Sequence, residues 1–409
     1  MKATKCASLL QVLLFAVVGG TAYPQEEVAG KVPLREMLHP DGTLSIPGNF
    51  SGAIDPRGWE MRLTRDGKPG FVATDKPMAA GDEYWDSRFG PAEPNGEVDA
   101  IAVTGGIMYV GGLFSTIGGI RASNIARWDG TSWTPLGSGV DHVVLSIAVA
   151  ANGLYVGGWF ATAGGITVNR IAKWDGSSWS ALGSGISGGN IPSVNAIAVV
   201  GSDVYIGGAF TTAGGVNVYG IARWDGLNWN GLPNGAGWNG FVGIVQALAV
   251  SGSNLYVGGS IERIGSTLVN NIAEWNGSTW SSLGTGVDGT VLALAVTGND
   301  LYIGGNFIHA GGINVHCVAR WNGTSWFSMG AGIAGGNYPA PIVSSLAIDP
   351  YGRVFCAGQF IYADRGRLTV NNVALWDPIT STWHAASGPN GTGTNYFLYA
   401  VASSAGCCC

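Results

Sequence analysis

A tryptophan motif recurs six times along the chain, and it constrains the fold more than any other feature of the sequence. The motif reads WDG or WNG in five copies and WDP in the sixth, with its tryptophan at Trp128, Trp174, Trp224, Trp275, Trp321 and Trp376. Successive copies are separated by 46, 50, 51, 46 and 55 residues. Repeats of roughly 40–50 residues that each contain several short strands are typical of propeller blades rather than helical solenoids.

Four short apolar runs make up each copy. In the copy at 147–185 they are IAVA, LYVGG, IAKW and SWSALG. Such runs are too short for helices, are rich in Val, Ile, Tyr and Trp, and end at Gly, Asn or Asp, which predicts strands joined by tight turns. A second tryptophan follows the first by five residues in five copies and by seven in the last. We expect these pairs to fill the widening space between neighbouring blades.

The two ends of the chain complete the repeat. The segment NYFLYAVASS at 395–404 matches the first strand of a copy, and YWDSRFGPAEPNGEV at 84–98 matches the end of one. Sharing a blade between the termini would remove free strand edges. We therefore predict an all-β fold, a single propeller of seven four-stranded antiparallel blades. The seventh blade would take its inner strand from the C-terminus and its outer three from residues 55–89. Six blades with stray terminal strands is the alternative.

The predicted domain organisation follows from this alignment. Residues 1–22 have a basic start, an apolar run and a small-residue cleavage site, which is typical of a secretory signal peptide. We assign residues 23–44 to a flexible leader, 45–82 to N-terminal strands that complete the last blade, 83–402 to the propeller and 403–409 to a tail. No later stretch approaches 18 apolar residues, so we expect a secreted, extracellular or periplasmic protein without membrane insertion.

The charge composition of the chain limits which classes of molecule it could bind. The formal net charge is −6, only 11% of residues are charged, and no basic cluster occurs, which argues against nucleic acid as a partner. We expect a monomer. Cys317 and Cys356 fall in strands of neighbouring copies, so they could form a bridge between blades or remain two buried thiols.

The segments LYVGG, IAKWDG, SWSALG and VALWDPITSTW resemble kelch-type repeats, a pattern shared by galactose-oxidase-like propellers. The glycine-rich form GGxFxTAGGxxxNxIAxWDG also resembles repeats of secreted bacterial proteins and of fungal cell-surface polarity markers. The resemblance covers residues 83–402. It implies that the loops from the fourth strand to the next first strand share one face with those from the second to the third strand. Kelch-like propellers commonly bind partners on this face, called the loop face below.

Catalytic signals are weak. The sequence lacks a phosphate-binding loop, HExxH and a calcium-binding loop, and no two histidines or cysteines match the copper site that a galactose oxidase would need. We therefore predict no cofactor, no metal and no assigned catalytic residue.

Several loop residues exceed what the repeat requires. Trp159 and Trp238 lie off the tryptophan register in loops of adjacent copies, where they could stack on a sugar or anchor a protein. Folding of the rings over their own loops is the alternative. The predicted ligand-binding residues are Trp159, Trp238, Asn190, His309, Tyr338, Tyr362, Asp141 and Asp288.

The sequence thus predicts a secreted, non-catalytic propeller that presents the loop face to an extracellular protein or glycan, as an adhesion or scaffold protein. The alternative is a glycan-active hydrolase or lyase with acidic residues at the mouth of the channel. Two carboxylates, or a carboxylate and a histidine, converging at the channel would favour the enzyme.

Overall fold

The chain divides into two units, Gly20–Ala80 and the remainder, Met1–Gly19 with Gly81–Cys409. The computed structural model describes residues 94–233, 243–335, 340–386 and 399–402 fully, and the backbone of six further short strands. In the smaller unit, Val32–Pro33 pairs parallel with Ile54–Asp55. In the same unit, Trp59–Leu63 pairs antiparallel with Pro69–Ala73.

Among the described residues of the larger unit, six four-stranded antiparallel sheets follow one another, and in each the strands pair in chain order. This confirms the predicted all-β architecture of repeated four-stranded blades. From the innermost strand outward, the strands are Glu97–Thr104, Ile107–Leu113, Ile125–Trp128 and Trp133–Pro135 in blade 1; Val144–Ala150, Gly153–Gly158, Ile171–Trp174 and Trp179–Ala181 in blade 2; Ser193–Val200, Asp203–Ala209, Ile221–Trp224 and Trp229–Gly231 in blade 3; Ile244–Ser251, Asn254–Ser260, Ile272–Trp275 and Trp280–Ser282 in blade 4; Val291–Thr297, Asp300–Gly305, Val318–Trp321 and Trp326–Ser328 in blade 5; Ile342–Ile348, Val354–Gln359, Val373–Asp377 and Thr382–Ala385 in blade 6.

A small hairpin joins the second and third strands of every blade. These hairpins are Thr116–Ile117 with Ile120–Arg121, Thr162–Ala163 with Ile166–Thr167, Thr212–Ala213 with Val216–Asn217, Arg263–Ile264 with Thr267–Leu268, His309–Ala310 with Ile313–Asn314, and Tyr362–Ala363 with Leu368–Thr369.

The segment that enters a blade pairs with that blade's hairpin. Val140 bridges Ala163 and Val287 bridges Ala310, while Ile186–Ser187 pairs with Thr212–Ala213. Ile333–Ala334 pairs in the same way with Tyr362–Ala363. In these blades both kinds of loop therefore share one face, which is the loop face implied by the resemblance to kelch-type repeats.

The paired tryptophans hold neighbouring blades together. Within every blade the two rings pack with centroids 5.1 to 5.3 Å apart. In blades 2 to 6 the indole N–H of the second tryptophan also donates to a backbone carbonyl of the preceding blade, as from Trp179 to Leu136 (2.9 Å) and from Trp229 to Leu182 (2.8 Å). The tryptophans of the repeat are thus explained by packing.

The double glycine of the second strand allows two close approaches. A Cβ on Gly157 would lie 2.5 Å from the side chain of Val194 in the next blade's inner strand. A Cβ on Gly158 would lie 2.1 Å from the carbonyl oxygen of Val143 in its own blade. The missing side chain of the first glycine therefore leaves room for the inner strand of the next blade. That of the second glycine leaves room for the inner strand of its own blade.

Residues 399–402 occupy a seventh inner position beside blade 6. Val401 packs in one cluster with Ala347 and Phe355, and its N–H donates to Ser345 Oγ at 3.0 Å. The segment also repeats the inner-strand motif of the six blades. The predicted pairing of 395–402 with 55–89 lies outside the described residues.

The two internal cysteines are free thiols, both buried. Burial, and to a smaller extent the nearby Asp288 carboxylate, raises the pKa of Cys317 to about 12. The interpretation as two buried thiols is confirmed.

Candidate functional site

A β-bulge near the start of each inner strand sets the geometry of the channel. The strand register shifts at the same place in all six blades, for example between Val98 and Ala100 in blade 1. A bulge re-aims the extra residue relative to the regular alternation of a strand. The residues at the six shifts line one cavity, and so does Tyr399 at the matching position of the C-terminal segment. We call these seven the channel ring: Asp99, Leu145, Asn195, Gln246, Leu292, Ser344 and Tyr399.

The cavity has a volume of about 950 Å³, within the range of small-ligand sites. Its lining extends from the channel ring to loop-face residues that include Trp159, Asn190 and Ile191. Trp159 is 43% exposed and Ile191 is 64% exposed. The cavity therefore combines an aromatic side chain with a ring of mostly polar groups.

The channel ring has two polar sides. In the order of the inner segments, Tyr399 comes next to Asp99 and interacts with its carboxyl electrostatically. Ser344 follows Tyr399, and its hydroxyl donates to the Ala357 carbonyl at 3.3 Å. On the other side, the amide of Asn195 donates to Gln246 Oε1 at 3.1 Å. The two leucines of the ring separate these sides. A ligand that fills the channel would meet hydroxyl and carboxyl groups at one side and amides at the other.

Asp99 carries the strongest electrostatic perturbation in the cavity. Its Oδ2 atom is buried and accepts no hydrogen bond from the described residues. Burial, reinforced by the Glu97 carboxylate, raises the pKa of Asp99 to about 7. Burial likewise raises the pKa of the Tyr399 phenol, with smaller contributions from Glu97 and Asp99. Asp99 therefore changes its charge near neutral pH.

No positive side chain balances this carboxyl within the cavity. Among the described lining residues there is no lysine, arginine or histidine. The described residues also contain no group of three or more His, Cys, Asp or Glu side chains placed to hold a metal ion. The electrostatics of the channel are thus those of an acidic site without a counter-ion.

Two of the predicted binding residues, Trp159 and Asn190, line this cavity. The Trp159 ring lies 6.0 Å from that of His142. Trp238 belongs to the short strand Gly237–Trp238, which pairs with Phe241–Val242, but its side chain lies outside the described residues, as does all of Tyr338. Whether these residues bind a ligand stays a prediction.

Asp141 and Asp288 support the loops rather than the channel. Asp141 Oδ1 accepts the backbone N–H groups of Ala161 and Thr162 at 2.8 and 2.9 Å. Asp288 Oδ1 accepts those of Ile308 and His309, both at 2.8 Å. Asn95 forms the same two bonds in blade 1. These side chains therefore tie the entering segment of a blade to its hairpin.

His309 and Tyr362 lie at equivalent positions of two hairpins, away from the described lining of the cavity. His309 Nδ1 is 2.6 Å from Asp288 Oδ2. Tyr362 is 37% exposed. A carboxylate and a histidine do converge here, but on the rim of the loop face instead of in the channel.

The sequence places the channel-ring residues in the inner strands, but it does not predict that they line a binding cavity. A signal was present: in the motif V-x-[AS]-[IL], the second residue varies from Asp to Leu, Asn, Gln and Ser while its neighbours hardly change. A position that varies inside a constant packing motif is free of packing constraints and available for recognition.

Comparisons with known proteins add little on function. No known protein family and no curated protein matches the sequence. One similar solved structure is the extracellular domain of a hybrid two-component system from B. thetaiotaomicron, with 13% identity and a TM-score of 0.46 over 76% of this chain and 35% of that one. Another is the computationally designed Ika8 protein, with 16% identity and a TM-score of 0.41 over 74% of this chain and 89% of that one.

This chain thus spans about a third of the length of the bacterial structure. Neither TM-score reaches 0.5, so neither resemblance bears on what this chain binds. Among the described residues, no helix is long and apolar enough to cross a membrane.

Proposed function

We propose that this chain is a secreted, kelch-like, non-catalytic propeller that binds a glycan through its central cavity. The observation that carries the proposal is the cavity of about 950 Å³, in which a half-exposed Trp159 lies together with the amides and hydroxyls of the channel ring. Aromatic faces stack on sugar rings, while amides and hydroxyls form hydrogen bonds with sugar hydroxyl groups.

A glycan suits this cavity better than a protein partner. A stable protein interface usually covers a broad surface of roughly 800 Å² per partner, whereas a concave site of this size encloses one small ligand. Secretion is supported by the signal-like residues 1–22, and we propose that the protein acts outside the cell as a monomer.

A glycan array probed with the labelled protein tests the proposal, followed by titration of the best hit. Trp159→Ala should weaken binding at least tenfold, because an exposed aromatic anchor typically contributes about 2 kcal/mol. Tyr351→Ala is the matched control, since this aromatic residue is 70% exposed and does not line the cavity. Equal losses in both variants, or no glycan bound by the parent protein, would contradict the proposal.

A glycan-active hydrolase or lyase is the second candidate, and a specific observation favours it. Asp99 lies in the channel, takes up a proton near neutral pH and interacts with the carboxylate of Glu97. A carboxyl group whose pKa lies near the working pH can act as a general acid or base. Mass spectrometry of array-positive glycans after incubation would reveal products, and Asp99→Asn should abolish them. Unchanged glycans after prolonged incubation would exclude this activity for the glycans tested.

A further inference from the structure

An uncompensated carboxyl group marks one side of the channel ring. Two titratable groups act on Asp99 electrostatically: Glu97 on its own strand, which is not part of the cavity lining, and Tyr399 on the C-terminal segment, which is. On the side of Asp99 away from Tyr399, blade 2 contributes the apolar side chain of Leu145 to the channel ring. A buried carboxylate normally has a cationic partner or a set of hydrogen-bond donors, because its desolvation is otherwise costly. Neither is provided by the described residues around Asp99.

The missing partner can come from a ligand. A primary ammonium group has three N–H donors, which the Asp99 carboxylate and the hydroxyl oxygen of the interacting Tyr399 can accept. The opposite amides, Asn195 and Gln246, can bind a hydroxyl group of the same ligand. The polar groups of the channel are thus arranged for a molecule with an amine at one end and hydroxyl groups at the other.

We propose that the channel ring binds a protonated amine at Asp99, so that the ligand is an amine-bearing sugar or a similar amino alcohol. This inference rests on the proposed glycan-binding function and names the class of ligand within it. A metal cation is disfavoured, because the described residues form no group of three or more His, Cys, Asp or Glu side chains placed to hold one, and Asp99 is the single carboxylate of the described cavity lining.

The affinity should depend on pH in a defined direction. An ammonium group binds the ionised form of Asp99, whose pKa in the free protein is about 7. Binding should therefore release a proton at pH 6 and strengthen roughly tenfold between pH 6 and pH 8, then level off. The probe must keep its own charge over this range, as a primary alkylamine does.

Calorimetric titration of the full chain with three kinds of probe, in EDTA, tests the inference. The probes are 2-aminoethyl glycosides of glucose, galactose and mannose, their N-acetylated forms, and ethanolamine. At least one aminoethyl glycoside should bind at least tenfold tighter than its N-acetylated form. Asp99→Asn should remove this preference, while Glu262→Gln, which removes an exposed carboxylate outside the cavity, should retain it.

The outcomes separate the inference from the function on which it rests. Equal binding of amine and N-acetyl forms, unaffected by Asp99→Asn, would overturn the amine site and leave the glycan function standing. Asp99-dependent binding of the amines, ethanolamine included, with no binding of any N-acetylated glycoside would support the amine site and contradict the glycan function. No binding by any probe would overturn the amine site. Calcium binding in place of the amine, seen when CaCl₂ replaces EDTA, would also overturn it. Circular dichroism of the variants excludes misfolding as the cause of a loss.

Discussion

The ionisation of Asp99 should make the stability of the propeller depend on pH, and Asp99→Asn should remove that dependence. Asp99 is unusual because burial, aided by Glu97, raises its pKa from 3.8 to about 7. A carboxyl group of this kind binds a proton more tightly in the folded than in the unfolded state. Its protonated form therefore favours folding, and its ionised form opposes it.

The magnitude follows from this shift. A pKa difference of one unit corresponds to about 1.4 kcal/mol, so a rise from 3.8 to about 7 corresponds to at most about 4 kcal/mol. Because part of the side chain faces the open cavity, solvent screening reduces the expected value to about 2–4 kcal/mol. Below pH 4 the wild type keeps this stability. It loses the stability progressively as the pH rises from about 4 to 7, and the loss is complete above about pH 7.

The assay is chemical denaturation of wild type and Asp99→Asn at pH 4, 5, 6, 7 and 8. The asparagine variant should match the wild type near pH 4 and exceed it by about 2–4 kcal/mol at pH 8, because the other titrating groups are common to both proteins. Glu262→Gln serves as the charge-matched control and should stay within about 0.5 kcal/mol of wild type. A difference between wild type and Asp99→Asn that does not change with pH would show that Asp99 is not held in the environment described here.

Three further predictions concern packing. Trp229→Ala should lower the free energy of unfolding by about 3–5 kcal/mol, measured by denaturant titration, because it opens a buried cavity and removes a bond between blades; a loss below 1 kcal/mol would contradict that role. Gly158→Ala should lower the free energy of unfolding by more than about 2 kcal/mol, because the new Cβ would clash with a backbone carbonyl. Gly231→Ala is the control and should stay within about 1 kcal/mol of wild type, since its Cβ would meet nothing closer than 3.5 Å. Equal melting temperatures of the two variants would refute the clash. Cys317 and Cys356 should react with a thiol reagent only after denaturation, since both are buried, and rapid labelling of the native protein would show otherwise.

The sequence predicts the blades well because each is specified by local, repeated constraints. The tryptophan pairs indicate a wide space between blades that large side chains must fill. The double glycine at Gly157 and Gly158 indicates that neighbouring strands approach too closely for a Cβ atom. Such constraints recur at a fixed spacing, so six copies make the pattern unmistakable. The strand order follows directly from it, and the shared loop face is what the resemblance to kelch-type repeats implies.

The channel was harder to predict because the bulge interrupts the alternation of the inner strand. A strict period of two does not show which residue of 97–104 is the extra one, so it cannot place Asp99 in the channel. The channel ring takes one residue from each of seven inner segments, and Asp99 and Tyr399 lie 300 residues apart in the sequence. That information appears only when the ring is assembled.

Charged loop residues are predicted to be ligand-binding residues, but the structure gives two of them a structural role. Asp141 and Asp288 look available for binding in the sequence, yet their carboxylates accept backbone N–H groups in their own loops. Asn95 performs the same task without a charge. The chemistry of such a position is set by hydrogen-bond geometry, which the residue type alone does not reveal.

The bulge positions have a consequence for how such a protein can diversify. Each of the seven inner segments contributes one side chain to the channel ring, from a site that the tryptophan pairs, the glycines and the hairpins do not use. Substitutions there can change ligand preference one residue at a time while the rest of the blade stays intact. With seven such sites and twenty residue types, one scaffold offers a combinatorial library of channels, and exchange of these residues alone is a direct route to receptors with new specificities.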